Sequence, residues 1–135
     1  MGVDLKFTRT ETKYPYIKHN TTIIAKDETL SDIPEGDPVH AIAWIRNDGD
    51  TGGYATLQIY NKTDNRYEGS GSSKVWIGAG EEYQKSCSMI APDHNVDIEL
   101  QAIYEEATDK RWIHDRESPF HLEVLPQKLR YEKVN

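Results

Sequence analysis

The sequence predicts an all-β protein, an antiparallel β-sandwich of about seven to nine strands, on three observations. Eight Tyr, three Trp and two Phe stand among many Ile, Val and Thr, the residues that suit a pleated, half-buried surface. Alanine and leucine, the strongest helix formers, are scarce for a helical bundle. Apolar and polar residues alternate with period two in several segments, and clusters of Gly, Pro, Asn and Asp separate those segments. No stretch repeats at a fixed period, which excludes solenoids and propellers.

The elements follow in order. Residues 1–8 alternate, with Val3, Leu5 and Phe7 on one face, so they form a first strand. Residues 14–25 are less regular, although Thr21, Thr22, Ile23 and Ile24 suit an edge strand. Residues 27–38 read as a polar connection, because Pro34, Gly36 and Pro38 mark a turn feeding the next strand. That strand, residues 39–46, is apolar on both faces, which predicts a central position, with Trp44 filling the core. Residues 47–53 are a turn, and in residues 54–60 Ala55, Leu57 and Ile59 face inward. Residues 61–73 read as a long Gly- and Ser-rich loop, followed by a short strand at 74–77 and a turn at 78–81. In residues 82–91 Tyr83, Cys87 and Met89 share a face, and Pro92 to Asn95 break the run. Residues 96–105 carry the cleanest alternation, Val96, Ile98, Leu100, Ala102 and Tyr104, and predict a long strand. After a turn at 107–110, a short strand at 111–114 and a last one around Phe120, Leu122 and Val124 complete the set.

Length and charge bound the function. The chain has 135 residues, one domain's worth, and is expected to form a single sandwich over residues 1–126 with a charged tail at 127–135 that frays. Its net charge of −7 and pI near 5.2 supply no basic footprint for phosphates, which argues against nucleic acid as a partner. No apolar run reaches the ~18–20 residues that span a bilayer. The start lacks the apolar core of a secretory signal. Cys87, the one cysteine, excludes a disulfide scaffold. The mean hydropathy of −0.77 is compatible with antiparallel sheets that keep one face in water.

The segment Ile33-Pro34-Glu35-Gly36-Asp37-Pro38-Val39, followed by an apolar strand that ends Ile45-Arg46-Asn47-Asp48-Gly49, resembles immunoglobulin-like modules of the CARDB type found in prokaryotic surface proteins. There a Gly-containing turn introduces a strand that closes on an Asn-x-Gly turn. The run Ile77-Gly78-Ala79-Gly80-Glu81, then two alternating strands around a Pro-centred break, continues the same order of parts. The resemblance covers Ile33 to Leu125 and places an immunoglobulin-like core at residues 32–126, with residues 1–31 as preceding strands and connection. Residues 61–73 and the first thirty depart from the pattern. The resemblance implies adhesion, spacing or protein contact, and no catalytic set.

The five histidines, His19, His40, His94, His114 and His121, are scattered without the close spacing of a zinc site, and His114 with Asp115 is expected at a strand end in water. Asn47-Asp48-Gly49-Asp50 offers oxygen ligands for calcium, with Asp48 and Asp50 as the candidates, but position twelve of a calcium loop needs glutamate where Gln58 stands. Asp and Asn also favour turns for backbone reasons, and the turn reading is preferred. No serine lies in a nucleophile elbow. Glu81-Glu82 and Glu105-Glu106 are strand neighbours that point to opposite faces, poorly placed to act as an acid–base pair. Cys87 on an apolar face reads as a packed thiol. Asn20-Thr21-Thr22 and Asn61-Lys62-Thr63 match the N-glycosylation pattern, which arises often by chance.

The aromatic residues carry the functional lead. Trp76, Trp112, Tyr60 and Tyr67 are the candidate binding residues, since exposed aromatics serve protein interfaces and stack on sugar rings. Two readings follow. One is a non-catalytic interaction module that contacts a protein partner or self-assembles, at a cell surface or in a virion, with no cofactor. The other is a carbohydrate-binding module whose exposed aromatics take the sugar.

Overall fold

The computed structural model describes residues 2–14 and 22–127. Ten strands lie among them: β1 Leu5–Tyr14, β2 Thr22–Ile24, β3 Thr29–Pro34, β4 Pro38–Asn47, β5 Gly53–Asn61, β6 Arg66–Glu68, β7 Val75–Ile77, β8 Glu82–Ile90, β9 Val96–Ala107 and β10 Lys110–Leu125. They form two sheets, one in the order β2-β1-β4-β8 and one in the order β3-β10-β9-β5-β6, with β7 also paired to β5. The molecule is an all-β sandwich. No helix among the described residues is long and apolar enough to cross a membrane.

Period-two alternation builds the core between the sheets. On β4, Val39, Ala41, Ala43 and Ile45 are fully buried; facing them from the other sheet are Ala55, Leu57 and Ile59 of β5 and Ile98, Leu100 and Ala102 of β9. Phe120 and Leu122 of β10 and Leu30 and Ile33 of β3 extend the same cluster. Each large side chain so buried contributes about 1.5–3 kcal/mol, which is how a chain of low mean hydropathy sustains a core.

Several sequence expectations need correction. Residues 27–38 are not merely a connection, because β3 lies within them and pairs with β10 in parallel. Asp32 takes a left-handed φ of 59° and adds a residue between the buried Leu30 and Ile33. That extra residue erases the alternation a strand would show. The loop at 61–73 contains β6, which pairs with β5 through Tyr60 and Tyr67. The two C-terminal strands are one, β10, whose register against β9 shifts at three places.

Trp44 does not fill the core. It lies on the outer face of β4, with the Arg9 guanidinium 4.7 Å from its ring centroid. Both faces of β4 are apolar, so alternation alone could not orient the strand. His114 and Asp115 are not at a strand end in water but within β10, beside one of its register shifts. There the Leu5 N–H donates to His114 Nδ1 at 3.1 Å and the Phe7 N–H to an Asp115 carboxylate oxygen at 2.8 Å, which ties β1 to the opposite sheet.

The turn after β4 is organised by Asn47, which is fully buried. Its Oδ1 accepts from the N–H of Asp4 and Gly49, and its Nδ2 donates to the carbonyls of Thr51 and Ile77. A Cβ on Gly49 would stand 2.0 Å from the Gly2 carbonyl oxygen, so close backbone approach requires glycine there. Asp48 is engaged by Arg46 at 2.5 Å, and no group of three or more metal-ligating side chains occurs among the described residues. Asn61 is fully buried and donates to Asp64 and Glu68, so the folded chain does not present it as a glycosylation acceptor. Asn20 and the charged tail from residue 128 onward lie outside the described residues.

Candidate functional site

The outward row of β5 consists of Tyr54, Thr56, Gln58 and Tyr60, alternating with the core residues Ala55, Leu57 and Ile59. It carries no charge. Aromatic pairs stand at both ends. Tyr54 meets Trp76 of β7 edge to face, with centroids 5.1 Å apart, and Tyr60 meets Tyr67 of β6 at 5.0 Å. Trp76 and Tyr67 remain about half exposed, at 53% and 47%. Six residues of extended chain separate the two tyrosines of β5, roughly 20 Å.

Between those ends the surface is concave. One pocket, of about 350 Å³, is lined by Gln58, Tyr67, Gly69, Ile103, Arg111, Trp112 and Ile113. A second, of about 300 Å³, is lined by Thr56, Gln58, Ser70, Ser72, Lys74, Glu105, Thr108 and Arg111. Gln58 and Arg111 belong to both, so the two form one groove across β10, β9 and β5, bounded by the segment 69–74. That segment lies tightly against the sheet. The Ser72 N–H donates to the Leu57 carbonyl and the Leu57 N–H to Ser72 Oγ, while a Cβ on Gly71 (φ 77°) would fall 2.4 Å from Gln58 Nε2.

A polar chain holds one side of the groove. Tyr67 Oη donates to Gln101 Oε1 at 2.8 Å, and Gln101 Nε2 donates to Glu99 at 2.7 Å. Glu99 also accepts from Arg116 and Ser118. Gln101 and Glu99 are 1% and 5% exposed, so their hydrogen bonds form away from bulk water, where they hold geometry most firmly. The effect is to fix the Tyr67 ring over the sheet. At the opposite end Lys74 Nζ sits 4.7 Å from the Tyr54 ring centroid.

Three of the four sequence-derived candidates, Trp76, Tyr60 and Tyr67, therefore fall on the outer face of the six-stranded sheet. Trp112 borders the first pocket, but its ring stacks on Tyr104, with centroids 5.6 Å apart and planes 23° apart. Tyr104 packs against the core, so Trp112 extends the inner face rather than the aromatic row. Sequence reasoning missed Thr56, Gln58, Gln101, Ile103 and Arg111. An available signal was the uncharged outward row of β5, unusual for a strand facing water.

A further depression, of about 520 Å³, lies at the opposite margin of the sheet and includes Thr63, Asn95, Asp97, His121 and Glu123. It is larger but has no aromatic lining, and its His121 and Asp97 already bind each other at 2.6 Å. Nearby, His94 bridges Asp93 and Asp64, which raises the affinity of its imidazole for a proton. The Cys87 thiol is pushed up to about 12 by burial and stays protonated at neutral pH.

Fold and groove together define a β-sandwich domain with a solvent-facing trough rather than an enclosed pocket. No family model and no curated protein matches the chain in sequence. Among solved structures it is similar to the C-terminal domain of Wzt, with a TM-score of 0.60 at 9% identity, covering 90% of this chain and 74% of that one. At that identity the likeness establishes the fold alone. A β-glucosidase, EmGH1 from Erythrobacter marinus, aligns over 89% of this chain and 15% of its own, with 11% identity and a TM-score of 0.40.

Proposed function

We propose that this protein is a non-catalytic carbohydrate-binding module that takes a saccharide along the outer face of β5, β9 and β10. The observation that carries the reading is the outward row of β5, with an aromatic pair at each end of the row and a groove of mixed polar and apolar lining between them. A sugar ring offers an apolar C–H face and a rim of hydroxyls. An aromatic plane meets the first, and planar amide and guanidinium groups meet the second. Tyr67, fixed through Gln101 and Glu99, supplies the plane in a pre-set position, and Gln58 and Arg111 supply the polar groups. Preorganisation of this kind lowers the ordering cost of binding.

The expected result on a glycan array, followed by calorimetry, is retention of at least one oligosaccharide, weakened about tenfold or more by Tyr67→Ala or Gln58→Ala with an unchanged fold. Undiminished affinity in both variants overturns the assignment to this face.

A second reading, protein contact or self-assembly at a cell surface or in a virion, has one observation in its favour. Strand β8 pairs with β4 on one side and with no other strand among the described residues, and it exposes Tyr83 at 40% and Ile90 at 60%. An open strand edge invites pairing with another chain. Light scattering and native mass spectrometry separate the two, since a stable oligomer abolished by a proline in β8 supports contact and a strict monomer at high concentration counts against self-assembly.

A further inference from the structure

Among the described residues, the groove holds two cations, Arg111 and Lys74, that form no ion pair. Among the described arginines, Arg9, Arg46, Arg66 and Arg116 each pair with a carboxylate, Glu11, Asp48, Glu68 and Glu99 respectively. Arg111 does not, although Glu105 is its register partner across β9 and β10. It is also the residue common, with Gln58, to both halves of the groove. Lys74 has no carboxylate partner either; its ammonium sits over the Tyr54 ring and lines the same half of the groove. Between them, on the floor, Thr56 is 4% exposed and its hydroxyl is buried without any hydrogen-bond partner. Such orphaned groups are rare and costly. Two cations without ion-pair partners and an unsatisfied hydroxyl in one concavity are the complement of an oxyanion.

Building on the saccharide reading, we infer that the preferred ligand is an acidic saccharide, whose anionic oxygens lie between Arg111 and Lys74 above Thr56. The guanidinium fork matches a carboxylate with two parallel hydrogen bonds, and the ammonium adds a point charge. Glu105 in the same lining leaves a local excess of one positive charge. The acidic remainder of the protein acts at longer range, where salt screens it beyond about 8–10 Å. The anionic group has two chemical sources, the carboxylate of a uronic acid and a sulfate ester, and both are probed.

The test measures calorimetric affinity for three probes: oligogalacturonate, its carboxyl-reduced neutral counterpart, and a sulfated galactan oligosaccharide. The expected result is that one anionic probe binds at least tenfold tighter than the neutral one. That advantage shrinks as NaCl rises from 0.1 to 0.5 M and disappears in Arg111→Gln and Lys74→Gln. Preference for galacturonate identifies the carboxylate, and preference for the galactan identifies the sulfate. Thr56→Val removes the hydroxyl in nearly the same volume; because that hydroxyl is buried without a partner among the described residues, the variant is expected to keep or raise its thermal midpoint while losing affinity for the anionic probe. If the neutral probe binds as tightly as both anionic ones, and Arg111→Gln leaves that parity intact, the inference fails while the saccharide reading stands. If none of the three probes and no glycan on a broad array is retained, the saccharide reading itself falls and this inference with it.

Discussion

At the scale of single residues, two histidines give stability opposite dependences on pH. His94 is hydrogen-bonded to Asp93 and Asp64, and both bonds, the one to Asp93 first, raise its pKa above the usual 6.5. Its folded state binds the proton more tightly than its unfolded state, so its contribution is fully present below about pH 6.5 and is lost as pH rises through the higher folded value. The ring is exposed, and the pairing is correspondingly screened by solvent. His114 behaves the other way. Partial burial lowers its pKa, and its Nδ1 must stay unprotonated to accept from the Leu5 N–H. Its contribution is present above about pH 6.5 and is lost as pH falls toward the lower folded value. Thermal midpoints measured from pH 5 to 8 are therefore expected to lose part of their decline on the alkaline side in His94→Gln. In His114→Asn, which keeps an acceptor that does not titrate, they lose part of their decline on the acid side. An unaltered profile in both variants rules the assignment out.

At the scale of elements, legibility in the sequence depended on whether a strand kept its period. Strands β5 and β9 alternate without interruption and could be read directly, including the inward placement of Leu57 and Leu100. The residue added at Asp32 hides β3, the three-residue length of β6 hides it in a polar stretch, and the register shifts in β10 divide it in two. Asn47 was legible as a turn residue but not as a buried joint, because no pattern in sequence reports that its amide reaches the Ile77 carbonyl thirty residues away. Asn47→Ala removes four hydrogen bonds and strands buried backbone groups at the ends of β4 and β7, with an expected cost of about 2–4 kcal/mol. Chemical denaturation measures it, and a loss below about 0.5 kcal/mol contradicts the assignment of Asn47 as the joint. The groove was half legible for a related reason. Its aromatics stand out in any reading, whereas Gln58, Gln101 and Glu99 look like ordinary outward-facing polar residues until the segment 69–74 is seen to cover Gln58 and the chain from Tyr67 to Ser118 to hold the other two.

At the scale of the whole molecule, the two sheets share one core and are tied directly through His114 and Asp115 to β1. Neither sheet can expose its inner face without exposing the other's, so residues of both are expected to unfold in a single transition, as domains below about 150 residues usually do. The tryptophans provide a probe for each sheet. Trp44 lies on β4 in the four-stranded sheet, and Trp76 and Trp112 lie on β7 and β10 in the six-stranded one. In a Trp76→Phe, Trp112→Phe variant, fluorescence follows the four-stranded sheet alone, while in Trp44→Phe it follows the other. Within each variant the urea midpoint from fluorescence is expected to coincide with that from far-ultraviolet circular dichroism, which averages over both sheets. Comparing probes inside one variant cancels whatever the substitution does to overall stability. Midpoints that separate would mean that one sheet, with or without its groove, persists after the other has opened, and the single-core account would be wrong.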